Sequence, residues 1–256
     1  MTGSVSATGS CLLSPPDPAA AIRLFCFHHA GGAASSFASW AAAVDPSVSV
    51  VPVQLPGREG RVREERVADM TILVEMLEDE LGPWLTAPFA FYGHSMGAFL
   101  AHALTRRWAA SGRTLPRRLF LGAAKAPHLP IVLDGATGMT DLELGRMLVG
   151  MGGMSAMVLR YPDWLRPATQ LVRDDLRICQ SNPYRDRTPV PVPMELFAGE
   201  DDPVVRPADV AAWELHAGAG HRLHVVPGGH FFPQDPAGVF LPLLSRLVAA
   251  DARQPH

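Results

Sequence analysis

Six short apolar runs, most of them with glycine or proline at an end, constrain this chain more than any other feature. They lie at 22–27, 48–53, 89–92, 118–121, 194–197 and 223–226. They are β-branched or aromatic and nearly continuous rather than alternating, the pattern of strands covered by helices on both faces. Stretches with helical periodicity fall between them, at about 65–81, 97–111, 207–217 and 236–250. Such alternation predicts an α/β protein with a doubly wound, mostly parallel sheet in a single domain spanning 22–250. Residues 1–21 read as a flexible leader and 251–256 as a flexible tail.

One stretch breaks the rhythm. Residues 134–185 contain no convincing strand, but two helix-like segments near 140–150 and 164–181, with Met139, Met147, Met151, Met154 and Met157 concentrated there. A Met-rich helical insertion between core strands suits a lid whose adaptable side chains line an acyl pocket. The alternative is an insertion that only packs on the sheet.

Composition narrows the function classes. With 48% hydrophobic and 18% charged residues the chain can bury a sizeable core. Its net charge is -3, and no basic run suggests nucleic acid or an anionic membrane. Lys125 is the sole lysine. Cys11, Cys26 and Cys179 form no paired spacing, so reduced thiols and a cytoplasmic location are expected. No signal-peptide pattern or apolar run of membrane-spanning length is visible. A monomer is expected.

The strand at 89–92 runs directly into Gly93-His94-Ser95-Met96-Gly97, and helical character follows from Ala98. A Gly-x-Ser-x-Gly between strand and helix holds its serine on a sharp elbow, because side chains at either glycine would collide with the neighbouring backbone. The new helix directs its N-terminal amides at the site, which favours developing negative charge. Ser95 is therefore the candidate nucleophile.

A serine needs a base, and the base an orienting carboxylate, in the chain order Ser, Asp or Glu, His for this architecture. Downstream, a strand enters Gly199-Glu200-Asp201-Asp202-Pro203. Asp202 is taken as the orienting acid, with Asp201 and then Glu200 as alternatives. Past the last strand, Gly228-Gly229-His230 puts a histidine on a glycine-flexed loop, so His230 is the candidate base. His221 and His224 lie within or before that strand, and His94 reads as a structural residue of the elbow.

The oxyanion hole is expected to use the Met96 amide and one amide from the loop after the first strand, His28-His29-Ala30-Gly31-Gly32, with Ala30 as the donor. The His28-His29 pair lacks spaced partners for a metal, and Gly31-Gly32 lacks dinucleotide-site spacing. Neither a metal nor a bound cofactor is expected.

With these residues assembled, the chain resembles the type II thioesterases of polyketide and nonribosomal peptide synthesis, α/β-hydrolase enzymes, over about 22–248. The resemblance rests on Phe27 to Gly32, on Gln54-Leu55-Pro56-Gly57-Arg58-Glu59-Gly60-Arg61 and on the Ser95 elbow. It continues through Arg173-Asp174-Asp175-Leu176, Gly199 to Pro203, and Gly229-His230-Phe231-Phe232. The Pro-Gly-Arg-Glu-x-Arg element is its most discriminating part. A tyrosine usual after the lid segment is supplied here by Tyr184. The resemblance implies removal of aberrant or stalled acyl groups from the phosphopantetheine arm of acyl or peptidyl carrier proteins. A general carboxylesterase or lipase-like hydrolase, a chain-releasing thioesterase and a catalytically silent binding partner are the rival readings.

Overall fold

The computed structural model describes residues 10–131, 135–235 and 237–253. Its six strands are β1 (Ile22–Phe27), β2 (Val48–Pro52), β3 (Phe89–His94), β4 (Leu119–Gly122), β5 (Met194–Gly199) and β6 (His221–Val226). They form one sheet in the order β2-β1-β3-β4-β5-β6, with every pairing parallel. Each strand coincides with a predicted run. Parallel strands need crossovers, and helices that supply them are α1 (Met70–Leu81), α2 (Met96–Ser111) and α5 (Pro207–Ala211), besides an inserted pair described below; a further helix, α6 (Phe240–Ala252), follows the last strand.

Successive residues of a strand face opposite sides, so each strand feeds two cores. Phe25, Phe27, Phe89, Phe91, Leu119 and Leu121 pack against α1 and α2 on one side. Leu24, Cys26, Ala90, Tyr92, Phe120 and Phe197 meet Phe37, Trp40 and α6 on the other. Both faces of β1, β3, β4 and β5 are covered, which is why their sequences read as continuous rather than alternating apolar runs.

Helix boundaries differ from the predicted ones where local chemistry overrides periodicity. The helix expected from about 65 begins at Met70, because the Asp69 carboxylate caps it by accepting from the Thr71 and Ile72 amides at 2.8 and 3.1 Å. The helix expected over 207–217 is α-helical only to Ala211 and tightens to 3-10 turns over Ala212–His216. The last helix starts at Phe240 rather than about 236, after a separate 3-10 turn at Phe232–Gln234.

The described part of the leader is not loose. The Cys11 side chain is buried and its carbonyl accepts from the Gln54 amide at 2.7 Å, while Leu12 bridges Val53 in antiparallel sense. Residues 1–9 of the expected leader lie outside the described residues. At the other end, α6 includes Asp251 and Ala252, so the expected tail begins later than proposed, and 254–256 are not described.

Between β4 and β5 the chain makes α3 (Asp141–Gly150) and α4 (Pro162–Gln180), the helical insertion expected over 134–185. Thr140 and Glu143 close a capping box at the start of α3. Ala136, Leu144, Leu148, Val172 and Leu176 form a small core of their own, with Met139, Met147 and Met154 packed against it. No helix among the described residues is long and apolar enough to cross a membrane. The three cysteines are free and buried, and burial pushes each thiol well up.

After β1 the chain crosses to β2 at one edge, then returns to place β3 on β1's other side. This reversal opens a crevice at the carboxyl ends of β1 and β3, where sheets of this kind build their sites. Phe27 of β1 lies in register with Gly93 of β3, so the loop after Phe27 and the elbow after His94 are brought together there.

Candidate active site

Ser95 sits at φ 55°, ψ -112°, a conformation non-glycine residues rarely adopt. The flanking glycines make the turn possible. A Cβ on Gly93 would lie 2.2 Å from the Gly97 carbonyl oxygen, and one on Gly97 would lie 2.1 Å from the Phe27 carbonyl oxygen. The Ser95 amide donates to the Gly122 carbonyl at 2.8 Å, tying the elbow to the end of β4. Ser95 is only partly covered and faces a cleft.

The structure brings Ser95, His230 and Asp202 into one line. The Ser95 hydroxyl donates to His230 Nε2 at 3.2 Å, and His230 Nδ1 donates to Asp202 Oδ2 at 2.8 Å. Asp202 Oδ1 accepts from the Val204 and Val205 amides at 2.8 and 3.0 Å, which fixes the carboxylate's plane. Asp202 and His230 are buried, whereas the alternatives Glu200 and Asp201 are exposed. His221 is exposed on β6, and His224 is occupied with Glu195 at 2.6 Å.

Asp202 and His230 come from adjacent loops joined through the backbone. The Glu200 amide donates to the Val226 carbonyl at 2.8 Å and the Asp201 amide to the Gly228 carbonyl at 3.0 Å. Gly199 permits this approach, since a Cβ there would stand 2.5 Å from the Gly229 carbonyl oxygen.

His94 is buried beside this array. Its Nε2 donates to the His230 carbonyl at 2.8 Å, and its Nδ1 accepts from the Tyr92 hydroxyl at 3.0 Å. Burial, reinforced by neighbouring His230 and His29, holds its pKa well below the usual histidine value, so the ring is neutral. His29 is likewise held down by burial and packs edge-on against Phe231, with centroids 4.8 Å apart.

Met96, as the first residue of α2, has no intrahelical acceptor for its amide. Met96 and Ala30 line the same cleft as Ser95 and His230. Phe99, Ile131, Leu148, Met151, Val172 and Leu176 are among the walls of this cleft. Of the five methionines of the insertion, Met151 alone belongs to that wall among the described residues, and Met157 is exposed. Leu148 of α3 and Val172 and Leu176 of α4 line the cleft beside this one methionine, rather than the several methionines expected.

Sequence reasoning missed what the two distant motifs do for each other. Arg58, of the Pro-Gly-Arg-Glu element, forms a forked pair with Asp175 of α4, Nη1 to Oδ2 at 2.7 Å and Nη2 to Oδ1 at 2.8 Å. Both side chains are buried. Arg61 of the same element is buried and held by Glu64 and Glu80 at 2.7 and 3.0 Å. A signal for Asp175 existed: it follows Val172 by three residues and precedes Cys179 by four, so it falls on the buried stripe of its helix.

A family model described as the thioesterase domain matches residues 22–241, which includes Ser95, Asp202 and His230. The chain belongs to the thioesterase family. It is similar to the Gramicidin S biosynthesis protein GrsT of Aneurinibacillus migulanus, 31% identical over 214 residues covering 84% of each chain. Among solved structures, the RedJ thioesterase of the prodiginine pathway in Streptomyces coelicolor superposes with a TM-score of 0.83 at 32% identity, covering 98% of this chain and 96% of that one. The type II thioesterase BorB of the borrelidin cluster gives a TM-score of 0.79 at 31% identity, covering 94% and 96%. The thioesterase fold is thus the α/β-hydrolase fold expected, with α3 and α4 as its insertion.

Proposed function

We propose that this thioesterase hydrolyses acyl groups from the phosphopantetheine thiol of acyl or peptidyl carrier proteins, an editing activity in polyketide or nonribosomal peptide synthesis. The observation that carries the reading is the Ser95–His230–Asp202 line at an apolar cleft, in a chain of this family.

In this reading Ser95 Oγ attacks the thioester carbonyl carbon while His230 Nε2 takes its proton. Asp202 holds the imidazole in the tautomer that leaves Nε2 free to accept, and stabilises the imidazolium formed. The Met96 and Ala30 amides receive the developing oxyanion, a contribution of about 3 kcal/mol per donor. The C–S bond then breaks, and the departing thiolate takes up the proton held by His230, which returns the imidazole to its neutral form. A thiol of pKa about 8.5 is a far better leaving group than an alcohol, so the demand on His230 as an acid is small. Water, deprotonated by His230, attacks the acyl-serine and releases the carboxylic acid and the Ser95 hydroxyl. The apolar cleft suits an acyl chain with little charge.

The test is hydrolysis of a panel of acyl groups on one carrier protein, with Ser95→Ala as control. Turnover of acyl carriers, abolished in the variant, supports the reading. Good cleavage of simple esters with none of acyl carriers replaces it with a carboxylesterase. Failure of a fluorophosphonate to label Ser95, read by intact mass, replaces it with a silent binding fold.

A further inference from the structure

Asp175 makes a third contact beyond its fork with Arg58. The Gly31 amide donates to Asp175 Oδ2 at 2.7 Å, and Arg58 Nη1 also reaches the Gly32 carbonyl at 3.2 Å. Arg58 Nε is in turn held by the Pro56 carbonyl at 3.3 Å. One buried ion pair therefore grips both glycines that follow Ala30, the residue whose amide is assigned to the oxyanion hole.

The same helix touches the loop through its apolar side. A Cβ on Gly31 would lie 2.6 Å from Val172 Cγ2, so α4 packs directly on the loop backbone, and Gly31 keeps a φ of +76°. Val172, Leu176 and Cys179, on the face that carries Asp175, wall the acyl cleft. The helix that walls the cleft is thus hydrogen-bonded to the loop that carries Ala30.

We infer that Asp175 is a positioning residue for the reaction: paired with Arg58, it holds the Gly31 amide so that the Ala30 amide points at the oxyanion, and links that geometry to the seating of α4. The inference rests on the proposed function, since it presumes an oxyanion next to Ala30. Three features argue against a purely structural ion pair. A buried pair is weak support for stability on its own. One carboxylate oxygen is shared between the guanidinium and an amide of this loop. The contacted residue is the immediate neighbour of the proposed donor.

The test uses the full chain with an acyl N-acetylcysteamine thioester as substrate and an alkyl trifluoromethyl ketone, which forms a tetrahedral oxyanion on serine, as probe. Active sites are counted by fluorophosphonate labelling of Ser95. In Asp175→Asn, kcat per labelled site is expected to fall on the order of 10-fold or more with KM little changed, short of the full loss of a donor. Ketone affinity should weaken by a similar factor.

Removing one buried charge can unfold a protein, so the paired variant Arg58→Met with Asp175→Leu is made alongside. It leaves no unpaired charge but still deprives the Gly31 amide of its acceptor. The same parallel loss in kcat and ketone affinity is expected from it. Wild-type kcat and ketone affinity per labelled site in the folded variants would overturn the inference, because a structural pair would change only stability and the labelled fraction. A wild-type protein that neither turns over the thioester nor binds the ketone would instead remove the proposed function, and this inference with it.

Discussion

His94 donates its Nε2 hydrogen to the backbone carbonyl of His230 at 2.8 Å, so the residue before Ser95 fixes the loop that carries His230. A carbonyl can only accept, which places the hydrogen on Nε2 and leaves Nδ1 to accept from Tyr92. His94→Leu removes the donor and leaves a buried carbonyl unpaired, at a cost of about 1–3 kcal/mol. Because that carbonyl belongs to the loop carrying the proposed base, kcat per labelled Ser95 is expected to fall about 10-fold or more. Denaturant unfolding and active-site-titrated kinetics on the same preparation check both parts. A stability loss with unchanged kcat would show the bond to be structural only.

Asp202 and its neighbour Asp201 make a sharp internal comparison. Asp202→Asn presents an amide to His230 Nδ1 in place of a carboxylate and is expected to lower kcat by about 10⁴-fold, through the wrong tautomer and an unsupported imidazolium. Asp201 is exposed, and Asp201→Asn is expected to remain within about twofold of wild type. Steady-state thioester hydrolysis of the two variants checks the assignment, and the reverse order of effects would transfer the orienting role to Asp201.

Gly97→Ala tests the elbow's sterics. Its Cβ would meet the backbone oxygen of Phe27 at 2.1 Å, and that atom belongs to a central strand that cannot give. A destabilisation of about 3 kcal/mol or more is expected, at the upper end for overpacking, with loss of Ser95 labelling. Gly60→Ala is the control, since nothing lies within 4 Å of a Cβ there. Urea melts of the two proteins give the comparison.

Buried histidines set the acid side of the stability curve. Burial holds His28, His94 and His102 well below the ordinary value, and His216 at about 4. As pH falls through the unfolded value of about 6.5, the unfolded chain takes up protons that the native protein refuses, so stability falls with pH. The slope is about 1.4 kcal/mol per pH unit for each histidine that charges only on unfolding. For His216 the loss is complete near pH 4, and for the other three it continues below that. Chemical denaturation between pH 7 and 4.5 should show this decline, and His102→Leu should make it shallower. A flat profile over that range would mean that these rings are protonated in the native state.

The sheet was legible because buried parallel strands leave a local signature, and Ser95, Asp202 and His230 because each follows such a strand in a fixed chain order. Helix starts were less so: Asp69 ends the pattern at about 65 by capping, a choice that periodicity does not contain. The Arg58–Asp175 pair was invisible for a different reason. In Arg173-Asp174-Asp175 all three residues are charged. Composition does not distinguish Asp174, which pairs at the surface with Arg66 and Arg177, from Asp175, which is wholly buried. Only helix phase separates them. The packing of Cys11 and Leu12 was hidden because it depends on Val53 and Gln54, about forty residues away and without any shared motif.

The placement of His230 after β6 has a consequence for how the enzyme fails. β6 is an edge strand with a single neighbour, β5, and most of its residues are at least partly exposed. Local opening is least costly at such edges, where few apolar contacts must be broken. Moderate heat or denaturant that frays β6 would carry the base away from Ser95 while the central strands keep both their cores. Inactivation is therefore expected to begin with fraying of one margin, ahead of and separable from cooperative melting of the molecule.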